Sequence, residues 1–232
     1  MNRLQLARCV DHTVLKSEAG EREIRTATAE ALEYGFAAVC VNSGWIKLVK
    51  SLLDAAGNNG SDHVVAACGV VGFPLGAADT TVKAFEAQRC VNSGADEIDM
   101  VIWLPALLSG DVDLARKDVA EVVKAAKGVC GKTLVKVILE TAILNESQIA
   151  MGCQAAGEGG ADFVKTSTGF HPAGGASVQA VRWLKQYSGS LRVKASGGIR
   201  DLVTAQAMLA AGADRLGCSA SVAIIKSLPQ EK

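Results

Sequence analysis

A single (β/α)8, or TIM, barrel covering residues 1–232 is the fold this sequence predicts. Three observations point to it. Apolar, β-branched runs recur at roughly 25- to 35-residue intervals, and helix-length segments with apolar residues three and four apart lie between them. No strand opens with the GxGxxG turn of an open dinucleotide-binding sheet.

Taken in order, the predicted strands are 11–15, 36–42, 64–72, 95–102, 133–140, 161–167, 191–196 and 213–219. The clearest helical periodicity covers 21–34, 80–92, 114–127, 147–158 and 202–211. The second strand follows Tyr34-Gly35-Phe36-Ala37. The fourth, sixth and eighth follow Ser93-Gly94-Ala95-Asp96, Gly159-Gly160-Ala161-Asp162 and Ala211-Gly212-Ala213-Asp214. At each of these junctions a glycine supplies the left-handed residue that ends a helix. The first and last units carry the faintest pattern.

Hydrophobic residues make up 49% of the chain and aromatics 4%, so its core is expected to be Ala, Val, Leu and Ile, as in parallel sheets covered on both faces. Lys plus Arg equal Asp plus Glu at 24 each, which argues against a nucleic-acid or anionic-membrane partner. There is no secretory apolar run at the N-terminus and no membrane-spanning apolar stretch, so a cytoplasmic location is expected. Seven cysteines without a CxxC read as reduced, mostly buried thiols. The histidines, His12, His63 and His171, are spread too far apart to supply paired ligands on one element, and no metal is expected.

In such a barrel chemistry sits where strands end and loops begin. Lys165 falls late in the sixth strand and Lys194 in the neighbouring seventh. A lysine in a buried strand is costly unless paired or neutral, and a neutral amine attacks carbonyls. Two facing ammonium groups repel, which lowers a lysine pKa from about 10.4 towards the operating pH and leaves one amine free while the other stays charged. In Glu97-Ile-Asp-Met-Val101, alternation puts Asp99 beside Glu97 and Val101 on one face, near the rim, as a proton carrier between water, substrate and Lys194. Lys136 and Glu140, on one face of the fifth strand, read as a structural ion pair.

Ser196-Gly197-Gly198-Ile199-Arg200-Asp201 joins the seventh strand to a helix, and its glycines expose N–H groups at the helix's positive end. Gly217-Cys218-Ser219-Ala220 follows the eighth strand, and Thr168-Gly169 closes the cup from the sixth. Loops after strands seven and eight are where such barrels seat phosphate.

These segments, with Phe163-Val-Lys-Thr-Ser-Thr-Gly-Phe170, Val193-Lys-Ala-Ser-Gly-Gly-Ile-Arg200, Asp11-His-Thr-Val-Leu-Lys16 and Val70-Val-Gly-Phe-Pro-Leu-Gly76, resemble the deoxyribose-phosphate aldolase family from about residue 4 to about residue 226. The resemblance implies a class I aldolase that reversibly cleaves 2-deoxy-D-ribose 5-phosphate to D-glyceraldehyde 3-phosphate and acetaldehyde, with no metal or organic cofactor. It implies that Lys165 forms the Schiff base, that Lys194 perturbs it and helps move protons, and that Asp99 shuttles them. Phosphate would lie on Thr168, Gly169, Gly197, Gly198, Gly217 and Ser219, with Asp11 and Cys40 in support. A homodimer is expected by the same likeness. Trp103, His171-Pro172, Cys218 and Ala220 depart from the family's usual residues. The alternatives are a Schiff-base aldolase or transaldolase for another phosphosugar, a phosphosugar isomerase, and a non-catalytic sugar-phosphate binder.

Overall fold

A computed structural model describes residues 1–58 and 63–229; the predicted span 1–232 also takes in 59–62 and 230–232, which lie outside the described residues. Eight parallel strands close into one barrel in chain order: β1 (Val10–Val14), β2 (Ala38–Asn42), β3 (Ala66–Val71), β4 (Glu97–Val101), β5 (Leu134–Ile138), β6 (Phe163–Lys165), β7 (Arg192–Ser196) and β8 (Arg215–Cys218). The barrel closes where Val10, Asp11 and His12 pair with Leu216, Gly217 and Cys218. The (β/α)8 expectation therefore holds.

The helices around it are α1 (Arg3–Ala7), α2 (Glu21–Tyr34), α3 (Ile46–Ala55), α4 (Thr80–Asn92), α5 (Leu104–Ser109), α6 (Val112–Val129), α7 (Glu146–Glu158), α8 (Val178–Tyr187), α9 (Leu202–Ala210) and α10 (Ser221–Lys226). The five periodic segments singled out in the sequence correspond to α2, α4, α6, α7 and α9. The sixth strand is shorter than expected, three residues against 161–167. Its flanks bond sideways instead: Asp162 carboxylate accepts from Val135 N–H at 2.8 Å, and Thr166 hydroxyl donates to Ser196 carbonyl at 3.0 Å.

Strand alternation sorts residues between two cores. Val39, Val41, Ile98, Met100, Val135, Val137 and Val193 face outward into the shell between strands and helices, where they are buried against residues such as Leu53, Val119, Ile149 and Leu184. The inward positions are divided. On the β2–β3 side Ala38, Cys40, Cys68 and Val70 form a small apolar cluster with Leu15. On the β4–β8 side the inward residues include Glu97, Asp99, Lys136, Lys165, Lys194 and Arg215, joined by Asp11 of β1.

The repeated Gly-Ala-Asp junction has a structural task. Asp96 carboxylate accepts from Ala67 N–H at 2.9 Å, Asp162 from Val135 N–H at 2.8 Å and Asp214 from Val193 N–H at 2.8 Å. The backbone N–H groups of the same aspartates donate to the carbonyls of the same three residues, each at 2.8 Å. Each pair of bonds clasps an even-numbered strand onto the odd-numbered strand before it. In the first pair, Ala37 N–H donates to Val10 carbonyl at 2.8 Å, with no aspartate. Among the described residues no helix is long and apolar enough to cross a membrane.

A second buried pair ties the shell to the strand ends. Lys83 of α4, fully buried, reaches Asp118 of α6 at 2.6 Å and Val101 carbonyl at 3.2 Å. Asp118 also accepts from Trp103 N–H at 2.8 Å and Thr80 hydroxyl at 2.7 Å. Burial lowers the Lys83 pKa, and Asp118 offsets only part of that. Removing one partner strands the other charge in the interior. We therefore expect Asp118→Leu to destabilise the fold by about 3–5 kcal/mol, with Lys83→Met/Asp118→Leu recovering much of that loss. Denaturant unfolding of both variants measures it.

Candidate active site

Alternation in β4 places Asp99 inside the barrel, and the register sets Lys136 directly beside it on β5. The next steps of the register set Lys165 beside Ile138, Lys194 beside Lys165 and Arg215 beside Lys194. Four cations and three carboxylates, Asp11, Glu97 and Asp99, thus converge in a space removed from water. Asp99 sits among the three amines. Its Oδ2 accepts from Lys165 Nζ at 2.7 Å and from Lys194 Nζ at 2.6 Å, while Oδ1 accepts from Lys136 Nζ at 2.6 Å and from the Cys68 thiol at 3.2 Å.

Lys194 also donates to Asp11, whose other oxygen takes the Arg215 guanidinium. Arg215 reaches Glu97 at 3.0 Å, and Lys136 lies 2.6 Å from the other oxygen of Glu97. Burial pushes the Asp99 carboxyl up, but the ammonium groups of Lys136, Lys165 and Lys194 outweigh it and hold the group well below the usual carboxylate range. For Lys194 burial favours the neutral amine, yet Asp11 and Asp99 outweigh it and keep the group charged, its pKa raised above the ordinary lysine value.

These contacts correct three expectations. The two strand lysines do not simply repel each other, because the Asp99 carboxylate lies between them and Lys194 is stabilised as a cation. Asp99 is not at the rim; it is completely buried, two residues before the end of β4. Lys136 does not pair with Glu140. The β5 strand ends at Ile138, Glu140 turns into the left-handed region (φ 58°), and its carboxylate accepts from the Thr168 hydroxyl at 2.5 Å.

Above the cluster opens a cavity of about 690 Å³. Lys165, 3% exposed, lines it, whereas Asp11, Asp99, Lys136 and Lys194 are fully buried and do not. All six residues proposed for phosphate, Thr168, Gly169, Gly197, Gly198, Gly217 and Ser219, line the same cavity. Glu140 fixes the side chain of Thr168, whose hydroxyl in turn accepts from Phe170 N–H at 3.1 Å. The Gly197 backbone lies in the left-handed region (φ 89°), and a Cβ there would stand 3.0 Å from Gly175 Cα and 3.2 Å from Gly169 Cα. Gly217 has a different reason to be small: a Cβ would meet the Lys194 stem at 3.1 Å.

Cys40 does not line the cavity and is buried beside Cys68. Its hydrogen bond with Cys68 lowers its pKa, while burial pushes the Cys68 thiol well up. The sequence reading missed Glu97, Cys68 and Arg215 as members of the cluster and gave Lys136 the wrong partner. What joins them is strand register, which the sequence does not state: each of the four stands level with an inward residue of a neighbouring strand.

Two groups of metal-type donors occur among the described residues: Cys40, Cys68 and Asp99, and Asp11, Cys68 and Glu97. Lys136 Nζ already lies among them, 2.6 Å from Asp99, 2.6 Å from Glu97, 3.3 Å from Cys68 and 3.6 Å from Asp11. This donor set is therefore built around an ammonium group, and a divalent ion does not fit without displacing it.

The likeness to known proteins follows the same residues. A family model described as DeoC/LacD family aldolase matches residues 6–226. A deoxyribose-phosphate aldolase of an Exiguobacterium species is 49% identical over 223 residues, covering 96% of each chain. One from Streptococcus gordonii is 49% identical over 224 residues, again covering 96% of both. The tetrameric deoxyribose phosphate aldolase of Aeropyrum pernix superposes with a TM-score of 0.88 at 33% identity, over 97% of this chain and 92% of that one. The barrel, its lysine cluster and these matches together make the chain a member of the DeoC/LacD family of aldolases.

Proposed function

We propose that this enzyme reversibly cleaves 2-deoxy-D-ribose 5-phosphate to D-glyceraldehyde 3-phosphate and acetaldehyde, through a Schiff base on Lys165. The observation that carries the proposal is that Lys165, alone among the three amines around Asp99, also lines the cavity. With four cations against three carboxylates, the fully ionised cluster holds one excess positive charge, and release of one proton balances it.

The neutral amine of Lys165 attacks C1 of the open-chain sugar. The carbinolamine loses its hydroxyl as water, with a proton relayed from Lys194 across Asp99, and the protonated imine results. The C3 hydroxyl gives up its proton through a water molecule to the same relay, the C2–C3 bonding pair moves towards the iminium nitrogen, and glyceraldehyde 3-phosphate departs. C2 of the remaining enamine takes a proton, and water releases acetaldehyde and restores the amine. Asp99 acts in this scheme as the carboxylate that takes the proton from one group and hands it to the next, returning each time to its charged form, and Lys194 as the group that stores the proton. The glycine cup holds the substrate's phosphate, so its binding energy orients C3 against the amine.

Borohydride reduction in the presence of acetaldehyde, followed by peptide mapping, is expected to add an ethyl group to Lys165. Ethylation of another lysine rejects Lys165 as the nucleophile, and no ethylation rejects the imine and favours an isomerase or a binding protein. Comparing cleavage rates for other sugar phosphates separates this substrate from the rival aldolases.

Neither metal nor organic cofactor enters the scheme, in keeping with the ammonium that fills the donor set. A chelator is expected to leave activity unchanged, and loss that is restored by a divalent ion counts against it. A homodimer is proposed as the working form, supported by the exposed Leu75, Val82 and Phe85 before and along α4. Light scattering on the purified protein tests it, and a monomer mass rejects it.

A further inference from the structure

Arg215 opens β8 and Glu97 opens β4, so both stand where strands begin, opposite the end at which Thr168, Gly197 and Ser219 meet the cavity. Neither lines that cavity, and no step of the proposed reaction touches them. Both are nevertheless wired to the reacting amine. The guanidinium gives one nitrogen to Asp11 and the other, at 3.0 Å, to Glu97. Asp11 carries the contact on to Lys194, and Glu97 lies 2.6 Å from Lys136. Lys136 and Lys194 each meet Asp99 at 2.6 Å, and Asp99 meets Lys165 at 2.7 Å.

Three of the four cations in this network are fixed. Burial works against the charge on each and is outweighed, by Asp11 and Glu97 at Arg215, by Asp99 foremost at Lys136, and by Asp11 and Asp99 at Lys194. Only Lys165 reaches the cavity, so the excess proton has its way out there. The excess exists because Arg215, which keeps its proton, joins three amines that the three carboxylates would otherwise match.

We propose that Arg215 and Glu97 are positioning residues that act through Asp11, Lys136 and Asp99 to set whether Lys165 stands as the free amine. Arg215 supplies the positive charge that drives the proton off Lys165, and Glu97 offsets part of it. The inference rests on reading Lys165 as the nucleophile. Other groups face these residues. Asp99 of β4, Lys194 of β7 and the Cys40 thiol of β2 surround the Lys165 amine, and His12, Lys16, Arg22, Glu23, Glu30 and Arg200 line the cavity with it. Around Arg215 stand Lys194, level with it on β7, the Phe163 ring of β6 at 5.8 Å, and Cys9. All of these are unchanged in the variants below, so displacements of opposite sign belong to Arg215 and Glu97.

The test is the rate at which acetaldehyde with cyanoborohydride ethylates Lys165, followed by peptide mapping as a function of pH; acetaldehyde has no titrating group of its own. In Arg215→Met three cations face three carboxylates, and the acid limb of labelling is expected about one pH unit higher, with labelling on that limb roughly tenfold slower. In Glu97→Gln four cations face two carboxylates, and the limb moves down by about one unit. Arg215→Met/Glu97→Gln restores an excess of one and returns the limb to the parent's position, which general damage from two substitutions does not do. Profiles that coincide, single variants that move the same way, or a double variant that stays displaced overturn the inference and leave Lys165 as the nucleophile. A parent that is not ethylated at Lys165 overturns that reading and this inference with it. If Arg215→Met does not fold, Glu97→Gln decides alone, and a limb that stays in place or rises overturns the inference.

Discussion

Lys165→Met is expected to lower kcat by about 10⁴-fold or more, at least about 5 kcal/mol of transition-state stabilisation, and to leave the fold as stable as the parent. The first half follows from the proposed covalent step, because no other amine of the cluster lines the cavity. The second follows from the charge count. Methionine fills nearly the volume of lysine and removes one of four cations facing three carboxylates, so the remaining groups balance. Two measurements decide it, turnover of deoxyribose 5-phosphate and denaturant unfolding. A variant with substantial activity would place the nucleophile elsewhere. A variant that fails to fold would mean that the lysine is needed for the architecture, and the borohydride experiment on the parent would then have to carry the assignment alone.

Asp99→Asn is expected to damage both properties at once. The amide keeps the shape but loses the charge, leaving two carboxylates, Asp11 and Glu97, to face four cations. Breaking one member out of a buried ionic network costs about 3–5 kcal/mol of stability. The loss of the relay between Lys165 and Lys194 reduces kcat by about 10²–10⁴-fold. A specific pH signature separates catalysis from general damage. Lys194 has a raised pKa because Asp11 and Asp99 hold it charged, so its contribution is present at neutral pH and is lost only as pH rises through that elevated value. With Asp99 neutralised, one of the two supports is gone, and the alkaline limb of the rate profile moves to lower pH. An unchanged alkaline limb would exclude Lys194 as the proton store.

The architecture was legible because it is written in periods. Alternating apolar residues such as Val39, Val41, Ile98 and Met100 mark the face that meets the helices, and the Gly-Ala-Asp junctions mark where helices stop. The candidate nucleophile was legible for the opposite reason, since Lys165 and Lys194 break an apolar run and a broken pattern calls for an explanation. The partners were harder to assign. Lys136 and Glu140 are four residues apart, which suggests one face of one strand, but the strand ends between them, and Glu140 turns away to fix Thr168. Arg215 and Glu97 come together only because the barrel closes, and Asp11 meets Lys194 across the seam between the first and last strands. Such contacts depend on stagger between strands, and a single sequence contains no statement of stagger. The depth of Asp99 was misjudged on the same account: its place along β4 is clear from the sequence, but the height of β4 relative to β6 and β7 is not.

The clasps made by Asp96, Asp162 and Asp214 divide the labour of this molecule between its two ends. They lie where strands begin, opposite the end at which Thr168, Gly197 and Ser219 meet the cavity. Alignment of neighbouring strands is therefore decided by residues that never approach the reactants. Loops at the other end are free to lengthen, shorten or change composition while the lysines keep their height in the wall, which leaves selectivity open to revision on a scaffold whose geometry is already guaranteed.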